Sequence, residues 1–534
     1  MNVQFSAPSI SFFFLNVYPR LLEITALSWL ALIAVNFKAI ASQFKPLITR
    51  GGAAAALALC VCGPAVRLVL APPRHQVYFD EFLHEDIAAN IARADVFGES
   101  VAGGSDELRR LQTPHWPGGY HVLLGNLFKI TGVSEAAAFR FNLALAAFSV
   151  GLIYLLCTLL FLDQRAGLLA AGLLAALPLH FRFSGTTDLT VCSELWILLA
   201  LLALALHRRL KDDSMHLLFF ASLLFAVNVR LENLVLVLLA MVAAAETSKT
   251  QVLSAGRTAG KIVFFVLLSS SVGLLLQIYA YKSALVGVIF NLRAHIPVNL
   301  RYLLAMPENV LILLPAAIFA LYGKKREEKK TVLAAVLLGA SYVLVCSLHF
   351  QGDFNIGSFD RLAMPAELCL IAAASCGLNR ALGSARAREA AFAAALAACV
   401  AVSWPLYGKR PLDRYEQEYR LVVDAAPRLP ADSYVICYCV PLILVAARRP
   451  AVLAPLADMY GGAFLDKLDG DGLRPLILFK DVWWYKFADS SVAIEARLRA
   501  RYRLEPIKTV RIDDKEYGFY RLIRIRSGTL QAKL

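Results

Sequence analysis

Two carboxylates stand side by side at Asp80 and Glu81, in the stretch Tyr78-Phe79-Asp80-Glu81-Phe82-Leu83-His84-Glu85-Asp86-Ile87, directly after a long apolar run. Clustered carboxylates at such a boundary have one chemical reading, a catalytic carboxylate held over a lipid-linked substrate. As a helix, the stretch stacks Phe79, Leu83, Ile87 and Ile91 in one apolar stripe at i, i+4 spacing. Asp80, Glu81, His84 and Glu85 then fall on other faces. Glu81 and Glu85 are one turn apart, a like-charge spacing that costs about 0.2–0.5 kcal/mol on a bare helix. The alternative without chemistry is an amphipathic helix on a bilayer with a solvated acidic face.

Further polar residues sit at the ends of apolar runs, where ionisable groups are functional candidates by default. Asp188 follows one run, and Glu194 lies inside the next. His115, Trp116, Tyr120 and His121 open a shorter apolar piece. Arg230 and Glu232 mark a tight turn, Arg293, His295 and Arg301 lie in a basic segment, and Asp353, Asp360 and Arg361 precede a late run. Arginines converging on one phosphate would be chemistry; snorkelling Arg293 and Arg301 would only anchor lipid headgroups. Asp188 also fits a helix N-cap. Arg230 and Glu232 fit a structural pair closing a hairpin, and Glu194 fits a buried pair with a neighbouring helix. His84, His115, His121 and His295 read as structural rather than metal-binding.

The elements that must position these residues are membrane helices. Of 534 residues, 58% are hydrophobic and only 18% charged, and the mean hydropathy is +0.59; soluble chains carry about a quarter charged residues. Runs of about 17 residues or more, long enough to span, recur to about residue 406. They fall near 21–37, 51–71, 137–162, 166–184, 189–206, 214–229, 232–246, 261–281, 306–322, 331–348, 362–378 and 389–406, about twelve spans. Trp116–Thr131 has a shorter core and reads as an interfacial helix. With that piece not crossing, one side of the membrane collects Lys38, Lys45, Arg50, Arg165, Arg208, Arg209, Lys249, Arg257, Lys325, Lys330, Arg380 and Arg386. This is a positive-inside pattern. It accounts for the formal charge of +14 without a nucleic-acid partner. The loop 72–135, Asp188, the turn at 230–232, the 282–305 loop, 351–361 and the C-terminal region then share the opposite, exoplasmic side.

Residues 1–50 read as an extra N-terminal membrane segment, with no basic n-region or cleavage-site pattern for a signal peptide. Residues 51–407 read as the membrane core. Residues 408–534 alternate β-like runs (434–440, 475–479, 507–512, 517–525) with helix-like pieces (442–449, 493–502), a small C-terminal α/β soluble domain. Most of the ten Cys sit in apolar runs as small hydrophobes, and no spacing suggests zinc or a disulfide framework.

The order of these features resembles the GT-C superfamily of polyprenyl-phosphate-sugar glycosyltransferases. It is most similar to the branch with the lipid A aminoarabinose transferase, the protein O-mannosyltransferases and the rhizobial lipopolysaccharide glycosyltransferases. The residues that carry the likeness are Phe79-Asp80-Glu81, Trp116-Pro117-Gly118-Gly119-Tyr120 through Leu127-Phe128-Lys129-Ile130-Thr131-Gly132, Phe139-Arg140-Phe141, Gln164-Arg165-Ala166, Ser184-Gly185-Thr186-Thr187-Asp188, Arg230-Leu231-Glu232-Asn233 and Asp360-Arg361-Leu362. Together they cover residues 51–380. Two departures stand out: His84-Glu85-Asp86 where relatives carry a Tyr, and a single Pro117 where they carry a doubled one.

The resemblance implies a polytopic α-helical membrane protein of GT-C type with exoplasmic juxtamembrane helices, in a plasma membrane. It implies transfer of a sugar from a polyprenyl-phosphate-linked donor to a glycan, lipid or protein acceptor, with inversion at the anomeric carbon. An inverting displacement needs one base. Asp80 is assigned as that base, Glu81 as the residue orienting acceptor or sugar, and Asp188 as the second choice for either role. Arg293, Arg301 and Arg361 are assigned to the leaving phosphate, and His115, Tyr120, Arg230 and Glu232 to substrate binding. No cofactor is fixed. A divalent metal serves some GT-C relatives, and metal dependence stays open. A transporter or flippase of lipid-linked sugars is the alternative; its usual internal repeats and midplane helix breaks are not visible in the sequence.

Overall fold

The computed structural model describes residues 12–70, 73–103, 110–114, 116–237, 288–323, 325–348, 352–355, 359–381, 414–458 and 475–525, with isolated positions at 239, 390, 393–394, 397 and 401. The chain opens with a π-helical turn, Phe13–Val17, that runs into α1 (Tyr18–Phe44). The helix α2 (Arg50–Leu70) follows, then the acidic helix α3 (Phe79–Ala94). Two short strands, β1 (Glu99–Gly103) and β2 (Arg110–Gln112), precede α4 (Gly119–Thr131). Next come α5 (Glu135–Phe161), α6 (Gln164–Ala176), α7 (Pro178–Phe183), α8 (Thr190–Leu210) and α9 (Asp213–Val229). Later helices are α10 (Val288–Ala305), α11 (Leu314–Leu321), α12 (Arg326–Leu348) and α13 (Met364–Ala381), the last entered through a 3-10 turn, Phe359–Ala363.

Among the described residues six helices are long and apolar enough to cross a membrane, and a seventh if the pair Asn291–Ala305 and Asn309–Leu321, bent by 76°, is one span. The sequence reading differs from this in several places. The run 166–184 is broken between α6 and α7, because Pro178 has no N–H to continue the helix and the residue before it is pushed out of the helical region. The 282–305 segment, expected as a loop, is helical from Val288; Asn299 is buried there and donates to Ser347 Oγ at 2.9 Å and to the Gly352 carbonyl at 2.7 Å. The runs 261–281 and 389–406, and most of 232–246, lie outside the described residues apart from isolated positions. The 13 residues of α4 reach about 20 Å at 1.5 Å per residue, short of the roughly 30 Å hydrocarbon core.

The C-terminal part contributes α14 (Arg414–Ala425), β3 (Tyr434–Cys437), β4 (Ala451–Leu453), β5 (Leu476–Lys480), α15 (Ala488–Arg501), β6 (Tyr502–Ile512) and β7 (Lys515–Arg524). These five strands pair with one another, and the sheet continues beyond β4. The seven-stranded order is β2-β1-β4-β3-β5-β7-β6, so two strands from the 72–135 loop complete it. β1 pairs antiparallel with β4, placing Ala102 opposite Val452. β3 lies parallel to both β4 and β5 and is buried along its whole length, as expected for a parallel strand covered on both faces. Alternate residues serve two cores: Val435, Cys437, Ile477 and Phe479 pack towards α14, and Tyr434, Ile436, Leu476 and Leu478 towards α15.

The acidic helix joins the two halves. Leu83, Ile87 and Ile91 pack into the core of the helical bundle, whereas Tyr78 and Phe82 pack into the sheet core with Val435 and Phe479. Each such side chain contributes about 1.5–3 kcal/mol when fully buried. The solvated acidic face of a surface helix is therefore corrected: Glu81, His84, Glu85 and Asp86 are all buried, because a helix clamped between two cores has almost no solvent side. Its packing on α4 depends on Gly125, where an added Cβ would stand 2.8 Å from Ile91 Cβ and 3.1 Å from the Ala88 carbonyl oxygen. Gly125→Val is expected to destabilise the chain by about 1–3 kcal/mol through overpacking. A lowered apparent Tm of the detergent-purified protein is the readout, and an unchanged Tm counts against this packing.

Candidate functional site

Arg361 is the centre of the site. Its Nη2 donates to Asp80 Oδ2 at 2.7 Å and its Nη1 to Asp188 Oδ2 at 2.8 Å, so one guanidinium joins the two carboxylates. The Arg361 side chain is 4% exposed and that of Asp188 1%, while Asp80 keeps 20%. Three segments distant in sequence meet here: the first turn of α3, the turn before α8, and the 3-10 entry to α13. The preceding residue, Asp360, pairs with Arg182 of α7 and fastens the same entry from the other side.

Asp188 is held from several directions. Its Oδ1 accepts from the Thr190 backbone N–H at 2.8 Å and from the Thr190 hydroxyl, at the start of α8, whose N-cap is Leu189 rather than Asp188. Its backbone carbonyl, with that of Thr186, accepts from the Asn142 side chain on α5 at 2.7 and 2.8 Å. Burial alone would raise the Asp188 pKa, but the charge of Arg361, helped by Arg230 and the Thr190 hydrogen bond, brings it below the usual carboxylate range.

Glu81 has a different environment. Its Oε1 accepts from the backbone N–H of Gln76 at 2.6 Å and of Val77 at 2.7 Å. Its Oε2 lies 2.9 Å from His75 Nδ1 and accepts from the Thr187 N–H at 2.8 Å and the Thr187 hydroxyl at 3.1 Å. The carboxylate is fully buried and saturated with donors. It ties the chain entering α3 to the turn that carries Asp188, so it positions Asp80 rather than offering an oxygen to a substrate. That entry includes Tyr78 at φ 25°, a strained backbone of the kind that needs such a clamp. His75 also reaches Glu135 at 3.2 Å, and against the cost of burial the two glutamates push its pKa up to about 10. Burial raises Glu81, yet the His75 charge and the hydrogen bonds leave it lowered overall. One turn on, burial pushes Glu85 up to about 8.

Of the other candidates read from the sequence, Tyr120 is buried and donates to the Thr187 carbonyl at 2.8 Å, buttressing the same turn. Arg230 stands 3.4 Å from Thr190 Oγ1 and 3.5 Å from Glu232, beside the Asp188 turn. Glu194 pairs with His180 at 3.0 Å. Arg293 and Arg301 are exposed on α10, and among the described residues no ion pair links them to the Arg361 cluster. His115 lies outside the described residues. Sequence reasoning missed His75, Thr187 and Asn142. Their signal was their place immediately beside Glu81 and Asp188, or at the start of an apolar run.

Among the described residues no group of three or more His, Cys, Asp or Glu side chains converges as metal ligands. The cation that Asp80 and Asp188 share in this structure is the Arg361 guanidinium.

No family model and no curated protein sequence matches the chain. Its structure is similar to that of ArnT from Cupriavidus metallidurans bound to undecaprenyl phosphate, with a TM-score of 0.58, 12% identity, and coverage of 89% of this chain and 98% of that one. The apo state of the same protein gives a TM-score of 0.55 at 13% identity, covering 88% and 97%. ArnT is a GT-C aminoarabinose transferase. The chain therefore has the GT-C fold, and the resemblance read from the sequence is borne out at that level.

The lowered pKa of Glu81 has a testable consequence. A group whose pKa falls on folding contributes stability above its unfolded value, about 4.3, and loses it as pH drops through the folded value. Glu81→Gln removes a charge-assisted acceptor from buried donors, a cost of about 1–3 kcal/mol. The difference in apparent Tm between wild type and variant should be full near neutral pH and close as pH falls below about 4. A difference independent of pH would show that the carboxylate charge contributes nothing.

Proposed function

We propose that this chain is a membrane glycosyltransferase that moves a sugar from a polyprenyl phosphate to an acceptor hydroxyl at the exoplasmic surface. The observation that carries the reading is the Arg361 clamp on Asp80 and Asp188, within a fold shared with a protein seen bound to undecaprenyl phosphate. Asp80 is the base. It is the more exposed of the two carboxylates, and one of its oxygens is left to accept a proton from the acceptor. Asp188, buried and saturated, keeps Arg361 and with it Asp80 in place. In the step, the acceptor oxygen attacks the anomeric carbon as its proton passes to Asp80, and the bond to the phosphate oxygen breaks on the opposite face. Configuration inverts, and the phosphate leaves with the electron pair.

That leaving group is already anionic and needs a cation rather than a proton. Arg361 is engaged by two carboxylates, and Arg293 and Arg301 are exposed on α10. Arg67, near the end of α2, suits the role better. It is 3% exposed, and its Nε and Nη1 are buried with no hydrogen-bond partner. It lines a small cavity with Gly63, Leu143, His180 and Ser184, in part at the apolar surface between α2 and α5 where a lipid would enter. A buried guanidinium in such a place is a natural partner for a lipid phosphate.

The six or seven described spans, the shorter helix α9, the broken run 166–184 and the runs at 232–246, 261–281 and 389–406 together take the chain across a plasma membrane about twelve times. The positive-inside pattern then sets the 72–135 loop and the C-terminal sheet on the exoplasmic side. The acceptor would meet the site from there.

The test is transfer of radiolabelled sugar from polyprenyl-phosphate donors by membranes that contain the chain. Asp80→Asn should lower transfer by about 10²–10⁴-fold while the protein still inserts and accumulates. Full activity in that variant would remove Asp80 from the role. Arg67→Gln should raise KM for the donor more than it lowers kcat, since it removes a contact made to bound lipid. An unchanged KM would place the phosphate elsewhere.

A further inference from the structure

His84 follows Asp80 by one turn of α3 and has no exposed surface. Its Nδ1 is 2.9 Å from His121 Nε2, and His121 Nδ1 is 3.0 Å from the carbonyl oxygen of Pro117. A carbonyl only accepts, so His121 must carry its proton on Nδ1 and donate it. Burial holds the His121 pKa well below the ordinary histidine value. His121 is therefore neutral, and its Nε2 offers a lone pair to His84 Nδ1–H. The backbone carbonyl thus fixes the tautomer of both rings. His84 is left with a lone pair on Nε2.

That Nε2 is buried, has no hydrogen-bond partner, and stands 4.0 Å from Asp188 Oδ2. The neighbouring acceptors are taken: Asp188 Oδ1 by Thr190, and Asp188 Oδ2 and Asp80 Oδ2 by Arg361. A buried acceptor without a donor is costly to keep unless it has a use.

We propose that His84 is the proton store of this site, so that the proton lost by the acceptor hydroxyl ends on His84 Nε2. The inference rests on the transferase reading above. In the full step the acceptor O–H bond breaks, and its electron pair forms the new bond to the anomeric carbon. The carbon–phosphate oxygen bond breaks, and its pair leaves on the phosphate. The proton passes from Asp80 to the His84 lone pair, which restores the Asp80 carboxylate and its bond to Arg361. The imidazolium keeps its Nδ1–H bond to His121.

The groups facing the ring are Asp80 and Glu81 on α3, Asp188 on its turn, Arg361 at the entry to α13 and His121 on α4. Burial lowers the His84 pKa, Asp188 and Asp80 raise it, Arg361 lowers it again, and the net value lies below that of ordinary histidine. The ring is therefore neutral and able to accept at neutral pH. Acid protonates it in advance, so transfer should fail on the acid side.

Two measurements on the full chain test the proposal. In nanodiscs with ¹⁵N-labelled histidine, the His84 ring signal is assigned by its absence in His84→Gln. At neutral pH it should show a neutral ring with the proton on Nδ1, and Nε2 should protonate only as the pH falls; Arg361→Gln should move that step to higher pH. A proton on Nε2 in the neutral ring, or a ring charged at neutral pH, overturns the proposal. The second measurement is transfer of labelled sugar from the polyprenyl-phosphate sugars extracted from membranes of the producing cell. His84→Gln should lose about tenfold or more in kcat with KM for the donor unchanged, and its acid limb should disappear. His121→Leu should lose more than His121→Gln, whose amide oxygen can still accept Nδ1–H from His84. Transfer by wild type with kcat and acid limb undisturbed in His84→Gln removes the proton store alone. A wild-type chain that transfers no sugar removes the transferase reading and the proton store with it.

Discussion

One guanidinium shared by two carboxylates sets the terms for the rest of the structure. Removing Arg361 and Asp188 from water costs several kcal/mol per ion, and mutual attraction offsets this only when geometry is good and remaining donors and acceptors are matched. The surrounding protein supplies that matching. Thr190 occupies the second oxygen of Asp188, Asn142 holds its backbone, Arg182 fixes the turn that carries Arg361, and Asp80 completes the bridge. Each partner comes from a different segment, so the cluster can exist only after the bundle has assembled. It then fixes the one carboxylate that keeps contact with the outside.

The second constraint is the position of the acidic helix. A helix with one face in the helical bundle and another in the sheet cannot be displaced without disturbing both. Its N-terminal turn is strained at Tyr78, and the strain is held by Glu81, which gathers three backbone N–H groups and the His75 ring. The two adjacent acids therefore have different duties. Glu81 sets the backbone, and Asp80, on the next face of the same turn, is what that backbone presents. The strands β1 and β2 extend the coupling, since the loop that leaves the helix becomes part of the distal sheet.

Much of this was legible in the sequence because it is local or periodic. Long apolar runs gave the long helices, the short β-like runs 434–440 and 475–479 gave the central strands, and charge at the ends of runs singled out Asp80, Asp188 and Arg361. What could not be read was long-range. Nothing in Glu99–Gly103 signals that it will pair with a strand about 350 residues later, since strand pairing across such a distance leaves no mark in either segment alone. The burial of His84, Glu85 and Asp86 was likewise hidden, because periodicity identifies a helix's apolar stripe but not a second core closing over its polar face. Glu81 and Asp80 looked equivalent for the same reason: their difference lies in donors from residues 75–77 and 187. Arg293 and Arg301 shared a side of the membrane with the acids, and sharing a side does not imply convergence.

The claim on which this account turns is that Arg361 and Asp188 act as one unit, and a double-mutant cycle measures it directly. Apparent unfolding free energies of wild type, Arg361→Gln, Asp188→Asn and the double variant, taken in the same detergent, give the coupling energy. A buried, hydrogen-bonded ion pair predicts that either single variant is destabilised by about 3–5 kcal/mol, and that the double variant is less unstable than the sum by about 1 kcal/mol or more. Additive effects within about 0.5 kcal/mol would mean that the two residues do not interact, and would contradict the account.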